Sequence, residues 1–170
     1  MRIHAATPEL CGAIAQVHVL SWQHAYASLL PAEFLATLSV EKRAAMWRES
    51  LSAGNPQLLV AEEAGTVHGF IAFGLSRDQD ATPASREVWA LYLNPSSWSK
   101  GVGRALWLAA LERMLAQGTK TITLWVIEGN ARAIKFYSAA GFKPEAGSVK
   151  SFTLGGVPLN EVRYAYQQDG

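Results

Sequence analysis

The sequence of 170 residues holds a single cysteine, Cys11. An intramolecular disulfide is therefore impossible, and a cysteine-rich metal site is excluded. His4, His18, His24 and His68 are scattered without a zinc-ligand spacing, so no metal site is expected. Charge of one sign is equally scarce. The 15 Lys and Arg residues against 14 Asp and Glu leave a net charge of +1. That balance gives no electrostatic case for nucleic acid or an anionic membrane as partner. No apolar run is long enough to cross a bilayer. Pro8, Glu9, Gln16 and His18 interrupt any secretory leader at the N-terminus. A cytoplasmic location follows as the expectation. Cys11 itself reads as a small helix-packing residue. What is plentiful is apolar surface: hydrophobic residues make up 49% of the chain, enough for one domain over residues 1–170 with a sizeable core.

Periodicity and punctuation place the elements. Residues 2–6 predict a short strand. Thr7-Pro8-Glu9 predicts a helix start, with a hydroxyl cap, proline in the first turn and an acid beside it. Ser39 predicts the cap of a helix running to about Leu51. Residues 57–62 and 67–75, joined by Ala64-Gly65, predict a strand pair, and Glu87 to Leu93 a third strand of that series. An almost wholly apolar helix follows over 102–117, then a β-branched strand over 120–127 and a helix from Asn130 to Gly141. Residues 148–154 and 157–166 predict a closing hairpin about Gly155-Gly156. Trp47, Trp107 and Trp125 read as core residues. The order implies a mixed α/β domain around a central, mostly antiparallel sheet of about seven strands. The crossover helix makes 87–93 and 120–127 parallel neighbours.

Within that frame, Leu91-Tyr92-Leu93-Asn94-Pro95 ends a strand, and Trp98-Ser99-Lys100-Gly101-Val102-Gly103-Arg104 enters a long helix through glycines. A helix N-terminus offers unpaired N–H donors and the positive end of its dipole, and glycines let an anion approach the backbone. Pyrophosphate recognition is the functional expectation; a plain turn is the alternative. Leu106 stands where a dinucleotide fingerprint needs its third glycine, and Gly103 is not followed by the Lys-Ser/Thr of a Walker loop.

The segment resembles motif A of the GNAT superfamily of acyl-CoA-dependent N-acyltransferases, with Trp98 standing where the family usually has Arg or Gln. Asn130-Ala131-Arg132-Ala133-Ile134-Lys135-Phe136-Tyr137, followed by Gly141-Phe142, is similar to the family's motif B. The two blocks occur in the family's order. The resemblance implies a GNAT fold in which strands 87–93 and 120–127 splay apart. It implies acetyl-CoA as co-substrate, held by Trp98 to Arg104, by backbone groups of Leu91 and Leu93, and by Asn130. Lys100 and Arg104 would screen the pyrophosphate, or be solvated surface charge.

Transfer of an acyl group to an amine needs a base, an oxyanion donor and an acid for the departing thiolate. Tyr137 is the candidate acid, its alternative a core aromatic beside Phe136. Glu87 is the candidate base. Alternation by two puts it on one face with Trp89, Leu91 and Leu93, where apolar surroundings would raise its pKa. Its alternative is a surface carboxylate paired with Arg86. Asn130 could also be only a helix cap. Trp22 and Tyr26, four apart, are candidates for binding the acceptor by stacking or cation–π contact, or for packing a helix on the sheet. The acceptor expected is a small-molecule amine or peptide, attacked directly in a ternary complex, since no Cys/His or Ser/His set is present to carry an acyl-enzyme. A non-catalytic CoA-binding regulatory module of the same fold is the alternative. The sheet edge and final hairpin offer surfaces for a homodimer.

Overall fold

The computed structural model describes residues 1–168. The chain runs β1 (Arg2–Ala5), α1 (Cys11–Ala25), α2 (Ala32–Ala36), α3 (Val40–Ala53), β2 (Gln57–Glu63), β3 (Thr66–Leu75), β4 (Ser85–Leu93), α4 (Val102–Ala116), β5 (Thr121–Ile127), α5 (Ala131–Ala139), β6 (Lys143–Pro144), β7 (Lys150–Leu154) and β8 (Val157–Gln167). The strands form one eight-stranded sheet in the order β1-β2-β3-β4-β5-β8-β6, with β7 paired to β8. Among the described residues only β4 and β5 pair in parallel, as a strand–helix–strand crossover allows. The strand beyond the expected seven is β6, two residues long and too short to carry a period.

Both faces of the sheet are covered. On one, Leu106, Trp107, Ala110 and Met114 of α4 pack on Leu59, Ile71, Phe73, Ile122 and Leu124. On the other, Cys11, Ile14 and Val17 of α1 and Trp47 of α3 pack on Leu58, Val60, Phe70 and Ala90. A third cluster joins the end of α1 to the closing hairpin through Tyr26, Leu30, Leu35, Ile127 and Leu159. Local signals explain the helix boundaries. The Ser39 hydroxyl accepts from the Lys42 amide at 3.1 Å, and Gly54, at φ 75°, terminates α3 in the left-handed region. Thr7 does not cap as expected: no amide reaches its side chain, and Pro8–Leu10 form a 3-10 turn ahead of α1. Trp47 and Trp107 lie in the core, but Trp125 does not; it faces a cleft.

Candidate active site

The site begins where the sheet comes apart. Strands β4 and β5 stay in parallel register only over Ser85–Thr121, Arg86–Ile122 and Glu87–Thr123. Beyond that point β4 remains bonded to β3 as far as the Gly69–Leu93 pair. Its other edge, facing β5, has no strand partner. Unpaired strand edges hold backbone donors and acceptors ready for an extended ligand. The gap opens into a cleft of about 690 Å³, walled by Leu91, Leu93, Leu124, Val126, Phe136 and Tyr137.

At one end of the cleft stands the N-terminus of α4. Gly101 precedes it at φ 83° with no side chain capping the helix. The first amide to close on the helix is that of Ala105, bonded to the Gly101 carbonyl at 3.1 Å. The amides of Val102, Gly103 and Arg104 are therefore left without intrahelical partners. The helices α3 and α5 differ, since Ser39 and Asn130 fill that place with side-chain oxygens. Ser99 also sits in the left-handed region, at φ 60°, so the loop turns its backbone twice before the helix starts. Such successive turns make an anion-binding concavity.

The two glycines have separate reasons. Gly101 supplies a backbone conformation, and a Cβ there would meet open space. Gly103 supplies packing: a Cβ would approach Phe136 Cε2 at 3.2 Å and Leu93 Cδ1 at 3.5 Å. Its missing side chain lets α4 sit against α5 and β4. This packing role is one the sequence does not show.

Trp98 lies across this end. Its Nε1 donates to the Leu93 carbonyl at 3.3 Å, so that carbonyl is engaged by the indole. The Arg132 guanidinium stacks over the Trp98 ring at 4.3 Å and its Nη1 donates to Ser99 Oγ at 3.4 Å. Arg132 lies within the Asn130–Tyr137 block, but no contact to Trp98 or Ser99 is expected of it from the sequence. Among the described residues, Lys100 and Arg104 form no ion pair. Open amides, free cations and an unpaired strand edge fit the diphosphate and the amide arm of a coenzyme A thioester.

The other end is built from side chains. β4 crosses a bulge: Val88 opposes Phe73 and Ala90 opposes Ala72, leaving Trp89 extra. A bulge reverses the alternation downstream. Leu91 and Leu93 thus pack toward α4, whereas Trp89 and Tyr92 face α1 and α3. The expected common face of Glu87, Trp89, Leu91 and Leu93 does not exist, and Tyr92 takes the place assigned to the leucines.

Glu87 is 1% exposed. It accepts from the Arg77 amide at 2.9 Å, from Nε at 3.3 Å and from Nη2 at 2.6 Å. Its partner is Arg77, not Arg86, which reaches the carbonyls of Pro83 and Ser85. The Arg77 guanidinium also stacks 4.1 Å above Trp89. A carboxylate held this way is not the free, apolar-pocket base the sequence suggested. It positions Arg77.

Tyr137 sits half-buried in the wall of the cleft, its ring 5.3 Å from Phe136 and 5.7 Å from Phe142. Burial, then the neighbouring phenols of Tyr92 and Tyr26, push its pKa well above the ordinary tyrosine value. Asn130 does two jobs: its Oδ1 accepts from the Ala133 amide at 3.2 Å and its Nδ2 donates to Tyr26 Oη at 3.3 Å. Tyr26 is buried and lines the cleft. Trp22 does not line it; the indole packs 4.6 Å from Tyr26 and 6.4 Å from Tyr92. His18 stacks on Tyr92 at 4.9 Å and accepts from Trp47 Nε1 at 3.2 Å. Its ring is thereby fixed as the neutral Nε2–H tautomer. Burial and the nearby Arg43 lower its pKa to about 3.

Trp125 closes this end. Its Nε1 donates to Asp78 at 3.1 Å, and Lys150 Nζ lies 4.1 Å from the ring centroid. Arg163 ties Asp78, Asp80 and Glu145 together at 3.2, 2.7 and 2.6 Å. It fastens the loop after β3 to β8, and so fixes both Asp78 and the indole that Asp78 holds.

The model of the GNAT acetyltransferase family matches residues 19–142. The chain belongs to the GNAT acetyltransferase family. It is 34% identical over 149 residues to the uncharacterized N-acetyltransferase YuaI of Bacillus subtilis (strain 168), covering 88% of this chain and 83% of that one. It is 39% identical over 108 residues to the mycothiol acetyltransferase of Propionibacterium freudenreichii, covering 63% of this chain and 32% of that relative. The fold matches yncA of Salmonella typhimurium, solved with its cofactor acetyl-CoA, with a TM-score of 0.78 and 25% identity over 100% of this chain and 95% of that one. This GNAT protein is an N-acetyltransferase with acetyl-CoA as its co-substrate. No helix among its described residues is long and apolar enough to cross a membrane.

Proposed function

We propose that this domain acetylates a primary amine carried on a small, flat, apolar body, by direct attack while both substrates are bound. The carrying observation is the union of two unlike surfaces in one cleft, with Tyr137 between them. The backbone end, from Ser99 to Arg104 with the free edge of β4, receives the co-substrate, which supplies the acetyl thioester. The aromatic end, with Tyr26, Trp89, Tyr92 and Trp125, suits an amine with an apolar or aromatic body. Its position supports Tyr137 as the proton donor to the departing thiolate. An ordinary phenol, with a pKa of about 10, is already protonated near neutral pH, as a general acid must be. Direct attack is supported by Cys11, the lone thiol, which is fully buried in the α1 core. Amide recognition by Asn130, and screening by Lys100, Arg104 and Arg132, complete the reading.

Calorimetric titration with acetyl-CoA, CoA and ATP tests the first half. Acetyl-CoA and CoA should bind, and ATP should bind far more weakly. A panel of primary amines, followed by release of free thiol, tests the second half. Binding without turnover of any amine would favour a non-catalytic CoA-binding module.

A further inference from the structure

Glu161 lies on β8, opposite Ile127 of β5 and Lys150 of β7. Opposed residues of an antiparallel pair share a face. Glu161 is therefore on the face of Ile127 and, two residues along β5, of Trp125, which lines the cleft. Ile127 packs with Tyr26 and Leu30 at the end of α1. Glu161 thus sits beside the aromatic end of the cleft, on the sheet face shared by Trp125 and Ile127, and is not itself among the residues that line the cleft.

It stands there half-buried and alone. Among the described residues no group donates a hydrogen bond to it, and no cation lies within the 4.0 Å of an ion pair. The other carboxylates nearby are taken. Arg77 holds Glu87, while Trp125 and Arg163 hold Asp78. Lys150, directly opposite Glu161 in register, turns instead onto the Trp125 ring and lies 3.9 Å from Asp78. The half-exposed carboxylate stays open to solvent, and so to a cationic ligand arriving from it.

We propose that Glu161 receives the ammonium of the acceptor and takes its proton before acetyl transfer. The inference rests on the acetyltransferase reading and gives it a base. One proton passes from the acceptor nitrogen to the Glu161 carboxylate. The freed lone pair forms the C–N bond at the acetyl carbonyl, the C–S bond breaks as the thiolate sulfur takes the Tyr137 proton, and the nitrogen gives its second proton to solvent to leave the neutral amide. Solvent then removes the proton from Glu161 and restores that of Tyr137. The charged surroundings suit this task. Burial holds the carboxyl above its ordinary range; Lys150 of β7 and Arg77 of the loop after β3 oppose this, while Asp78 and Glu87 add to it. A carboxylate raised in this way is a stronger base than a solvated one.

The experiment uses phenethylamine as the probe amine and follows thiol release from acetyl-CoA between about pH 6 and pH 9. Wild type, Glu161→Gln and Glu161→Asp are compared, with acetyl-CoA affinity measured by calorimetry on each. Wild type should turn the probe over, with kcat/KM falling at acid pH as the carboxylate gains its proton. Glu161→Gln should lose about 100-fold or more in kcat/KM and lose the acid limb, with acetyl-CoA affinity unchanged. Glu161→Asp should restore part of the rate and the limb. A Gln variant within about threefold of wild type and keeping the limb would overturn the assignment. So would a wild type that binds acetyl-CoA yet leaves phenethylamine untouched. A folded wild type that does not bind acetyl-CoA would instead contradict the proposed function, which separates the two failures.

Discussion

The two ends of the cleft are made of different material. At the co-substrate end the contacts on offer are backbone: open amides at the start of α4, two left-handed turns, and a strand edge released by the splay of β4 from β5. At the aromatic end they are side chains, namely Tyr26, Trp89, Tyr92 and Trp125, with ionic groups behind them. A backbone cradle needs only glycine at the right turn, so many sequences build it alike. A wall of side chains can change one residue at a time.

The junction between the ends should be the most sensitive place. Tyr137→Phe removes the hydroxyl while keeping the ring against Phe136 and Phe142. It should lower kcat by about 100-fold or more and leave acetyl-CoA affinity within about twofold, by steady-state kinetics and calorimetry. Equal loss of affinity would make Tyr137 a binding group.

Next comes the backbone end. Gly101→Val places a β-branched residue at φ 83°, a strain of about 1–3 kcal/mol that the loop relieves by moving. Acetyl-CoA should bind at least about tenfold more weakly. At the aromatic end, Trp125→Ala should raise the amine KM several-fold to about tenfold, with acetyl-CoA affinity unchanged. If either variant shifts the other substrate instead, the division between the ends is wrong.

The smallest effect concerns what the aromatic end rests on. His18, 6% exposed and stacked on Tyr92, stays neutral down to about pH 3 in the folded state, whereas the unfolded chain protonates it near the ordinary imidazole value of about 6.5. Below that value the unfolded state binds the additional proton, so stability falls as pH falls. Between about pH 7 and pH 5.5 the loss from this residue should be about 1 kcal/mol, read from urea unfolding. His18→Gln should be less stable at neutral pH but lose that part of the pH slope.

The sequence made some of this legible and hid the rest for physical reasons. The strand–turn–helix of 87–117 and the cap at Asn130 are local, and local signals are written in neighbouring residues. The bulge at Trp89 is not. It is decided by how β4 meets Phe73 on β3, and it moved Tyr92 to the face toward α1 and α3 while taking Leu91 and Leu93 off it. Glu87 looked like a free base because Arg77 is ten residues away across a loop of unreadable shape. Arg163 and Glu161 carried no motif, since their roles come from pairing β8 with β5 and from a loop 83 residues distant in sequence. Trp125 was assigned to the core because its strand is apolar; the splay exposes it.

The account's central claim is tested most directly by following backbone amide resonances during titration with acetyl-CoA. The predicted result is that Ser99 to Arg104 and Leu91 to Leu93 shift most, with Tyr26 and Trp125 moving little until an amine is added. Large shifts confined to the α1 and β8 face, with the amides of Val102, Gly103 and Arg104 unmoved, would contradict it.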